Sequence, residues 1–382
     1  MKVLYIMNNV DKGGAALAFK DMIDEILDEH PEVTPVILLA TKNRIADYFS
    51  RKSVEIHIIN FNNFLTTERH PKIIWKLLLL FRYSISERFF FRKIENEINL
   101  DEIDIIHSNL NRFDVGAKIS IKYSIPHIWH IREHGDNDFK LLNLLFNDPI
   151  KYMNSFDSTF IAISRSVLRK WKSYGVKNIF LVYDGIKITD NDIKESQSNK
   201  IKILFLGGIT KTKGQDRFLK IISNLPQKYL NEIHIDFVGD GDSKYISFLK
   251  NKYNYLKENF TIHPYNNEIL KYLKNYDIGV NASFSEGFGR VTVEYLEQGL
   301  FVIGANSGAS TEIINDNRLG WLVDYTQNAE INAIKLKELI DSRIFDKNRK
   351  YRSEYARTNF SMRKHVGKVI EVYRKVSENS YD

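Results

Sequence analysis

The chain has 382 residues and no cysteine. Disulfides, thiolate metal sites and cysteine nucleophiles are therefore excluded, and zinc could be held only by histidines and carboxylates. The absence fits a reducing compartment. No apolar run reaches the roughly 18–20 residues that a spanning helix needs. The opening MKVLYIMNNV has one lysine before a short apolar run and no small-residue cleavage site after it. It reads as a buried first strand rather than a leader, so a cytoplasmic location is expected. Gly13 and Gly14, which follow that strand, fit neither G-x-G-x-x-G nor the P-loop pattern with its G-K-[ST] ending.

What is present is ordinary for a globular protein, with 43% hydrophobic and 27% charged residues. Single cores stop growing near roughly 250–300 residues, which implies two domains. Strand-length apolar runs at 2–7, 36–40, 54–59, 104–107, 127–131 and 159–164 alternate with helical segments. In the segment 14–27, Leu17, Met22, Ile23, Ile26 and Leu27 are expected to share a buried face. The alternation pauses at the polar stretch 190–200 and restarts with runs at 202–208, 233–239, 260–263, 277–282 and 301–305. Strands apolar on both sides and separated by helices predict parallel sheets covered on both faces. The fold class is α/β, with two doubly wound domains facing across a cleft. Ligands of such sheets bind at the carboxyl ends of the strands. Residues 328–358 are strongly helical and charged, and a last helix over 361–377 carries Met362, Val366, Val369, Ile370 and Tyr373 on one stripe.

The net charge is +7. Nucleic acid, an anionic membrane face, anionic small substrates or plain solvated lysines could each account for it. The segment 70–98 is more pointed: Lys72, Lys76, Arg82, Arg88, Arg92 and Lys93 interleave with Trp75, leucines, Phe81, Tyr83 and 89–91. It predicts a long helix, broken near Ser84 and Ser86, that suits an anionic bilayer. A core helix with a basic outer side is the alternative. No nucleic-acid module is recognisable, so nucleic acid is not an expected partner.

Five stretches carry candidate chemistry. Gly13 and Gly14 open a helix whose free N–H groups suit an anion, although such a turn is often only a tight loop. Gly207 and Gly208 end a strand, and Lys213 opens the next helix against its dipole, a penalty that an anion would remove. In SEGFGRVTVEYLEQG (285–299), Gly287 and Gly289 allow close backbone approach, and Glu286 and Glu294 flank the turn. The N–H groups from Phe288 past Arg290 would face a diphosphate. A carboxylate beside phosphate is repulsive unless it holds something neutral, so the pair fits a clamp on hydroxyls. A metal bridge lacks a third carboxylate or histidine nearby, and no metal is expected. Gly308, with Ser310, Thr311 and Glu312 behind it, is a weaker helix start. In IPHIWHIREHGDND, His130, Arg132, Glu133 and His134 crowd one strand end, the kind of place where perturbed titrating groups gather.

These stretches resemble glycosyltransferase family 4, the retaining, nucleotide-sugar-dependent enzymes of GT-B fold. The most specific likeness is the E-x7-E pattern of Glu286 and Glu294. Gly13-Gly14-Ala15, FVGDGD (237–242), IAISRSV (161–167), VYDGIK (182–187) and GWLV (320–323) support it. The resemblance implies residues 1–188 as an acceptor-binding Rossmann-like domain, 189–200 as linker, 201–360 as the nucleotide-sugar domain and 361–382 as a helix crossing back. It implies that Glu286 contacts the transferred sugar and Glu294 the ribose. Lys213 and the amides of Phe288 and Gly289 would bind the diphosphate, with Arg290, Gly207, Gly208 and Gly287 around it. The loop of Gly13 and Gly14 would close over the donor, and Glu286, Lys213, His134 and Arg132 would carry catalysis. His130, Arg132, Glu133 and His134 would meet the acceptor.

The implied activity is retaining transfer, of hexosyltransferase type, from a nucleoside-diphosphate sugar. A UDP-sugar is the expected donor, and no metal or other cofactor is required. The acceptor would be a saccharide or lipid-linked saccharide of surface polysaccharide synthesis, met at the inner face of a membrane. Tyr265 is a candidate neighbour of the base. Three motifs depart from the family pattern: Gly208 replaces the arginine of G-R-x4-K-G, Arg132 and Glu133 stand where a histidine is usual, and Asp184 stands where asparagine is usual. The last is expected to affect only a turn. The first leaves a catalytically silent sugar-nucleotide binder as the alternative. An epimerase of similar fold fits the E-x7-E context less well.

Overall fold

The computed structural model describes the chain except residues 9–12, 67–72, 136–141, 144–147, 190–192, 194–199, 267–268 and 379–382, and the side chains of 66, 73–76, 142, 143, 270 and 271. The chain divides into two compact units, one made of Met1–Gly185 with Met362–Asp382, the other of Ile186–Ser361. Most of the polar stretch 190–200, and Lys72, Trp75 and Lys76, lie outside what is described.

The first unit runs β1 (Lys2–Met7), α1 (Gly14–Glu29), β2 (Thr34–Leu39), α2 (Arg44–Ser50), β3 (Glu55–Ile58), β4 (Leu65–Thr66), α3 (Ile73–Glu97), β5 (Ile105–Ser108), α4 (Val115–Tyr123), β6 (His127–Ile131), β7 (Leu142–Asn143), α5 (Pro149–Asn154), β8 (Thr159–Ala162), α6 (Arg165–Ser173) and β9 (Ile179–Leu181). Its sheet has seven strands in the order β3-β2-β1-β5-β6-β8-β9, and every neighbouring pair is parallel. The side-chain period of two divides β1 between layers. Val3, Tyr5 and Met7 join one core cluster with residues of α1, and Leu4 and Ile6 join another with residues of α3 and α4. Each fully buried aliphatic side chain contributes about 1.5–3 kcal/mol, as an upper bound against an extended chain.

Two expectations need correction here. On α1 the buried residues are Ala16, Ala18, Phe19, Met22, Ile23, Asp24 and Ile26, whereas Leu17 and Leu27 are exposed. Met22, Ile23 and Ile26 of the expected stripe are thus buried, and Ala16, Ala18 and Phe19 complete the face in place of the two leucines. Helix α3 is continuous over 25 residues and does not break at Ser84 or Ser86. Tyr83, Phe90 and Ile94 are buried on the side facing the unit, and this packing overrides the weak helix preference of serine.

The second unit runs β10 (Ile201–Leu206), α7 (Gln215–Ile222), α8 (Gln227–Glu232), β11 (Ile233–Val238), α9 (Ser243–Lys252), β12 (Phe260–His263), α10 (Ile269–Tyr272), β13 (Ile278–Asn281), α11 (Arg290–Glu297), β14 (Phe301–Ala305), α12 (Ser310–Ile313), β15 (Gly320–Val323), α13 (Ala329–Ser342) and α14 (Arg349–Phe360). Its six strands lie in the order β12-β11-β10-β13-β14-β15, again all parallel. Helix α15 (Met362–Glu378) follows and belongs to the first unit. Its Met362, Val366, Val369, Ile370 and Tyr373 are buried in the same cluster as Val3, Tyr5 and Met7. Strands β9 and β15 and the antiparallel pair β4–β7 are additions to the strands expected from apolar runs.

Strand order reverses between β1 and β5 in the first unit and between β10 and β13 in the second. The loops leaving these neighbours diverge to opposite faces and open a crevice at the carboxyl ends of the strands. In the second unit Gly207, Gly208, Lys213, Glu286 and Gly289 lie on those loops, and in the first Gly13 does, whereas Arg132, Glu133 and His134 follow the next strand, β6.

Candidate functional site

In the second unit, β10 leads to Gly207, Gly208 and Lys213, and β13 leads to Glu286. The two loops bring Lys213 Nζ within 2.5 Å of Glu286 Oε1. The lysine side chain is 39% exposed and the glutamate 14%, so the pair lies at the surface of the crevice with the carboxylate on its inner side. The anion expected at the N-terminus of α7 is thus supplied by the protein's own carboxylate. Gly214 caps α7 at φ 88°. A Cβ there would lie 2.5 Å from Arg217 Nη2 and 2.6 Å from the Ala282 carbonyl oxygen, so only glycine permits this approach to the end of β13.

Gly289 opens α11, and no side chain caps it. The first-turn N–H groups of such a helix suit an anion. Phe288 is buried and packs edge-on against Phe360 at 5.6 Å. This anchors the turn that carries Gly287 and Gly289. Thr292 Oγ1 accepts a hydrogen bond from Asn281 Nδ2 at 3.0 Å, tying α11 to β13. Tyr295 adds a second tie: its hydroxyl accepts the Leu206 N–H at 2.7 Å. Glu294 lies on the same helix, 20% exposed, with Arg290 Nε 3.9 Å away. Tyr265 is 40% exposed. Burial raises its phenol pKa, and the neighbouring Glu294 and Asp240 carboxylates raise it further. The residue proposed beside the base and the residue proposed on the ribose are therefore neighbours.

Gly308 has a larger place than its sequence suggested. It sits at φ 57°, and a Cβ would come 2.9 Å from the Glu286 carbonyl oxygen. The Ala309 N–H donates to the same oxygen at 3.3 Å. The loop after β14 thus buttresses the backbone of Glu286. Gly208 differs from both: its φ is not in the left-handed region, and the nearest atoms to a Cβ are 3.8 Å and 3.9 Å away. Space for a side chain exists where the family pattern has arginine.

In the first unit the reversal point joins α1 to β5 and β6. Arg132 Nε donates to Asn109 Oδ1 at 2.7 Å, and Asn109 Nδ2 reaches the Ala15 carbonyl oxygen at 3.5 Å. Asn109 therefore links the helix opened by Gly13 and Gly14 to the end of β6. Arg132 Nη1 lies 2.9 Å from Asp184 Oδ2, with both side chains 3% exposed. The roles foreseen for Arg132 as an acceptor contact and catalytic group are corrected on this geometry: the side chain is buried, with a carboxylate already on it. Asp184 does more than shape a turn. It neutralises Arg132, so these two departures from the family pattern are one paired feature.

His130 is also corrected. It is fully buried, because β6 is a central strand covered on both faces. Its Nδ1 is 3.1 Å from His107 Nε2, and its ring stacks on His365 at 5.6 Å. His107 Nδ1 in turn meets the Tyr373 hydroxyl at 2.6 Å. This chain fastens α15 to the sheet. Burial holds both His107 and His130 well below the ordinary histidine pKa, and Arg132 adds to the effect. Glu133 and His134 remain accessible. Glu133 Oε2 lies 3.0 Å from Arg112 Nη2, and His134 Nε2 is 2.8 Å from Ser166 Oγ. Asn109 had no motif of its own, whereas Asp184 lies within VYDGIK and Gly308 at the weaker helix start. A further signal is position: Asn109 and Gly308 each follow a predicted strand, whereas Asp184 follows β9, which no apolar run predicted.

No group of three or more potential metal ligands occurs among the described residues, and no described helix is long and apolar enough to cross a membrane.

Residues 187–359 match the family described as glycosyl transferases group 1, a span nearly coextensive with the second unit. The chain is 25% identical over 339 residues to an uncharacterized glycosyltransferase, MJ1178, of Methanocaldococcus jannaschii, covering 86% of this chain and 92% of that one. It is 21% identical over 333 residues to the capsular polysaccharide biosynthesis glycosyltransferase CapH of Staphylococcus aureus, covering 82% and 83%. Among solved structures, Anabaena Alr3699/HepE in complex with UDP superposes with a TM-score of 0.76 at 17% identity, covering 98% of this chain and 100% of that one.

Proposed function

We propose, from the premise that this chain is a glycosyltransferase of GT-B fold whose residues 187–359 form a group 1 domain, that it transfers a hexosyl group with retention from a UDP-sugar. The acceptor is a saccharide or lipid-linked saccharide of cell-surface polysaccharide synthesis, met at the inner face of a membrane. The relative CapH supports the pathway class, and the UDP complex of HepE supports the donor base. The observation that carries the reading is the contact of Lys213 with Glu286 at the strand reversal of the second unit.

In this reading the donor diphosphate draws Lys213 away from Glu286. The N–H groups of Phe288 and Gly289, at the start of α11, take the other phosphate oxygens. Glu286, released from the lysine, accepts hydrogen bonds from hydroxyls of the transferred sugar, and Glu294 accepts from the ribose diol. The acceptor hydroxyl attacks the anomeric carbon from the side of the leaving group. As the bond to the acceptor oxygen forms, the bond to phosphate breaks, and the departing phosphate oxygen takes the acceptor proton. The protein contributes position and neutralisation of the leaving diphosphate, and no metal is required.

The test is a panel of nucleotide sugars read by thermal shift and by release of nucleoside diphosphate. UDP-sugars should stabilise the fold by mass action and be slowly consumed. Lys213→Ala should lower release on the order of 100-fold, as for loss of one preorganised charge. Glu294→Ala should weaken UDP binding. Gly208 favours a second reading, a catalytically silent sugar-nucleotide binder, and binding with no turnover would select it. A changed sugar still attached to its nucleotide would point to an epimerase.

A further inference from the structure

Helix α3 is buried on one side by Tyr83, Phe90 and Ile94. Its other side also carries large apolar side chains. Leu77 is 60% exposed, Phe81 66% and Phe89 67%, with Leu78 and Ile85 also exposed between them. At 3.6 residues per turn these side chains fall on about a third of the helix circumference. Such a row is unusual at the surface of a globular protein, where large apolar residues are commonly scattered singly.

The same face carries Arg82, Arg88 and Arg92, all exposed. Residues 77–94 include four basic residues and a single acid, Glu87. Glu87 is already engaged, with Lys118 Nζ 2.6 Å from its carboxylate. Glu95, just beyond, pairs with Lys122. Arg88, Arg92, Glu87, Glu95 and Lys122 line one groove beside α4, and both of its acids are thereby occupied. None of the three arginines forms an ion pair with a described residue. Uncompensated guanidinium groups thus alternate with exposed aliphatic and aromatic side chains along a single continuous helix.

We infer that the outer face of α3, from Leu77 to Arg92, docks on an anionic phospholipid surface. A bilayer interface meets both halves of the pattern: apolar side chains enter the boundary of the acyl chains while arginines bind headgroup phosphates. A second copy of the chain fits poorly, because a two-fold contact would set the same arginines against one another. Nucleic acid would leave Leu77, Leu78 and Phe81 against water or phosphate. The inference rests on the lipid-linked acceptor proposed above for its purpose only, since the docking is measured without donor or acceptor.

The experiment is co-sedimentation of the full chain with phosphatidylcholine vesicles, with and without phosphatidylglycerol. The parent protein should bind only the anionic vesicles, and added salt should weaken the binding. At about a factor of five per arginine, the combined variant Arg82→Gln, Arg88→Gln, Arg92→Gln should bind roughly 100-fold more weakly. The variant Phe81→Ser, Phe89→Ser should lose binding to the same vesicles while keeping the melting temperature and UDP affinity of the parent. Equal binding by parent and both variants would overturn the inference, as would failure of the parent to bind. A concentration-dependent dimer that both variants abolish, with no vesicle binding, would assign the face to a second copy instead. UDP affinity is read in the same samples, so failure of the nucleotide site is distinguishable from failure of the docking face.

Discussion

Gly208 and Lys213 lie on one loop, and in the proposed function Lys213 is the one diphosphate cation there, where the resembled pattern has two. A Cβ at position 208 meets nothing closer than 3.8 Å, and the backbone there needs no left-handed conformation. Gly208→Arg should therefore fold normally. A charge-assisted hydrogen bond is worth about 1.5–3 kcal/mol, so the variant should bind UDP at least about tenfold more tightly in isothermal titration. Unchanged affinity would mean that the arginine cannot reach the phosphates from this loop. At this scale the sequence was most legible where a residue's chemistry conflicts with its place. Lys213 before a helix and Glu286 on a glycine turn both stood out in the sequence, and the structure brings the two together. It was least legible where neutral residues act by shape: nothing in Gly308 itself indicates that a side chain there would strike the Glu286 backbone.

Among the elements, β6 shows how a strand's position limits what its residues can do. Four polar groups at its end suggested one acceptor site, yet its central place buries His130 and Arg132 and leaves Glu133 and His134 reachable. Arg132 is compatible with burial only because Asp184, beyond β9, supplies a carboxylate at 2.9 Å. Removing one partner of a buried pair costs about 3–5 kcal/mol. Asp184→Asn should lower the urea midpoint by a corresponding amount, whereas Glu133→Gln, on an accessible side chain, should leave it nearly unchanged. The strands themselves were legible because parallel strands covered on both faces are runs of apolar residues. The face of α1 was not, since tertiary packing selects among several apolar stripes. The break expected in α3 failed for the same reason: packing of Tyr83 and Phe90 holds the helix through the serines.

For the molecule as a whole, the histidines set the response to acid. His127 is buried between Ser108 and Ser158, and burial lowers its pKa to about 3. His107 and His130 are lowered in the same direction. Because the folded values lie below the unfolded value near 6.5, the unfolded chain binds more protons. Stability from these groups is therefore full above pH 6.5 and is lost as pH falls below it. For His127 this should cost about 1.4 kcal/mol one pH unit below that value, and His107 and His130 act in the same direction. Urea melts at pH 7.5 and 5.5 should show this as a lower midpoint in acid, and His127→Phe should reduce the difference.

The division of the chain itself carries a consequence for biosynthesis. The second unit is one uninterrupted segment, but the first lacks part of its core until α15 has been made. On the ribosome, where domains fold as they emerge at about 5–20 residues per second, the later-encoded lobe can finish folding while the earlier one still waits with the cluster around Val3, Tyr5 and Met7 only partly covered. A nascent chain stalled before Met362 should then offer chaperones its amino-terminal half.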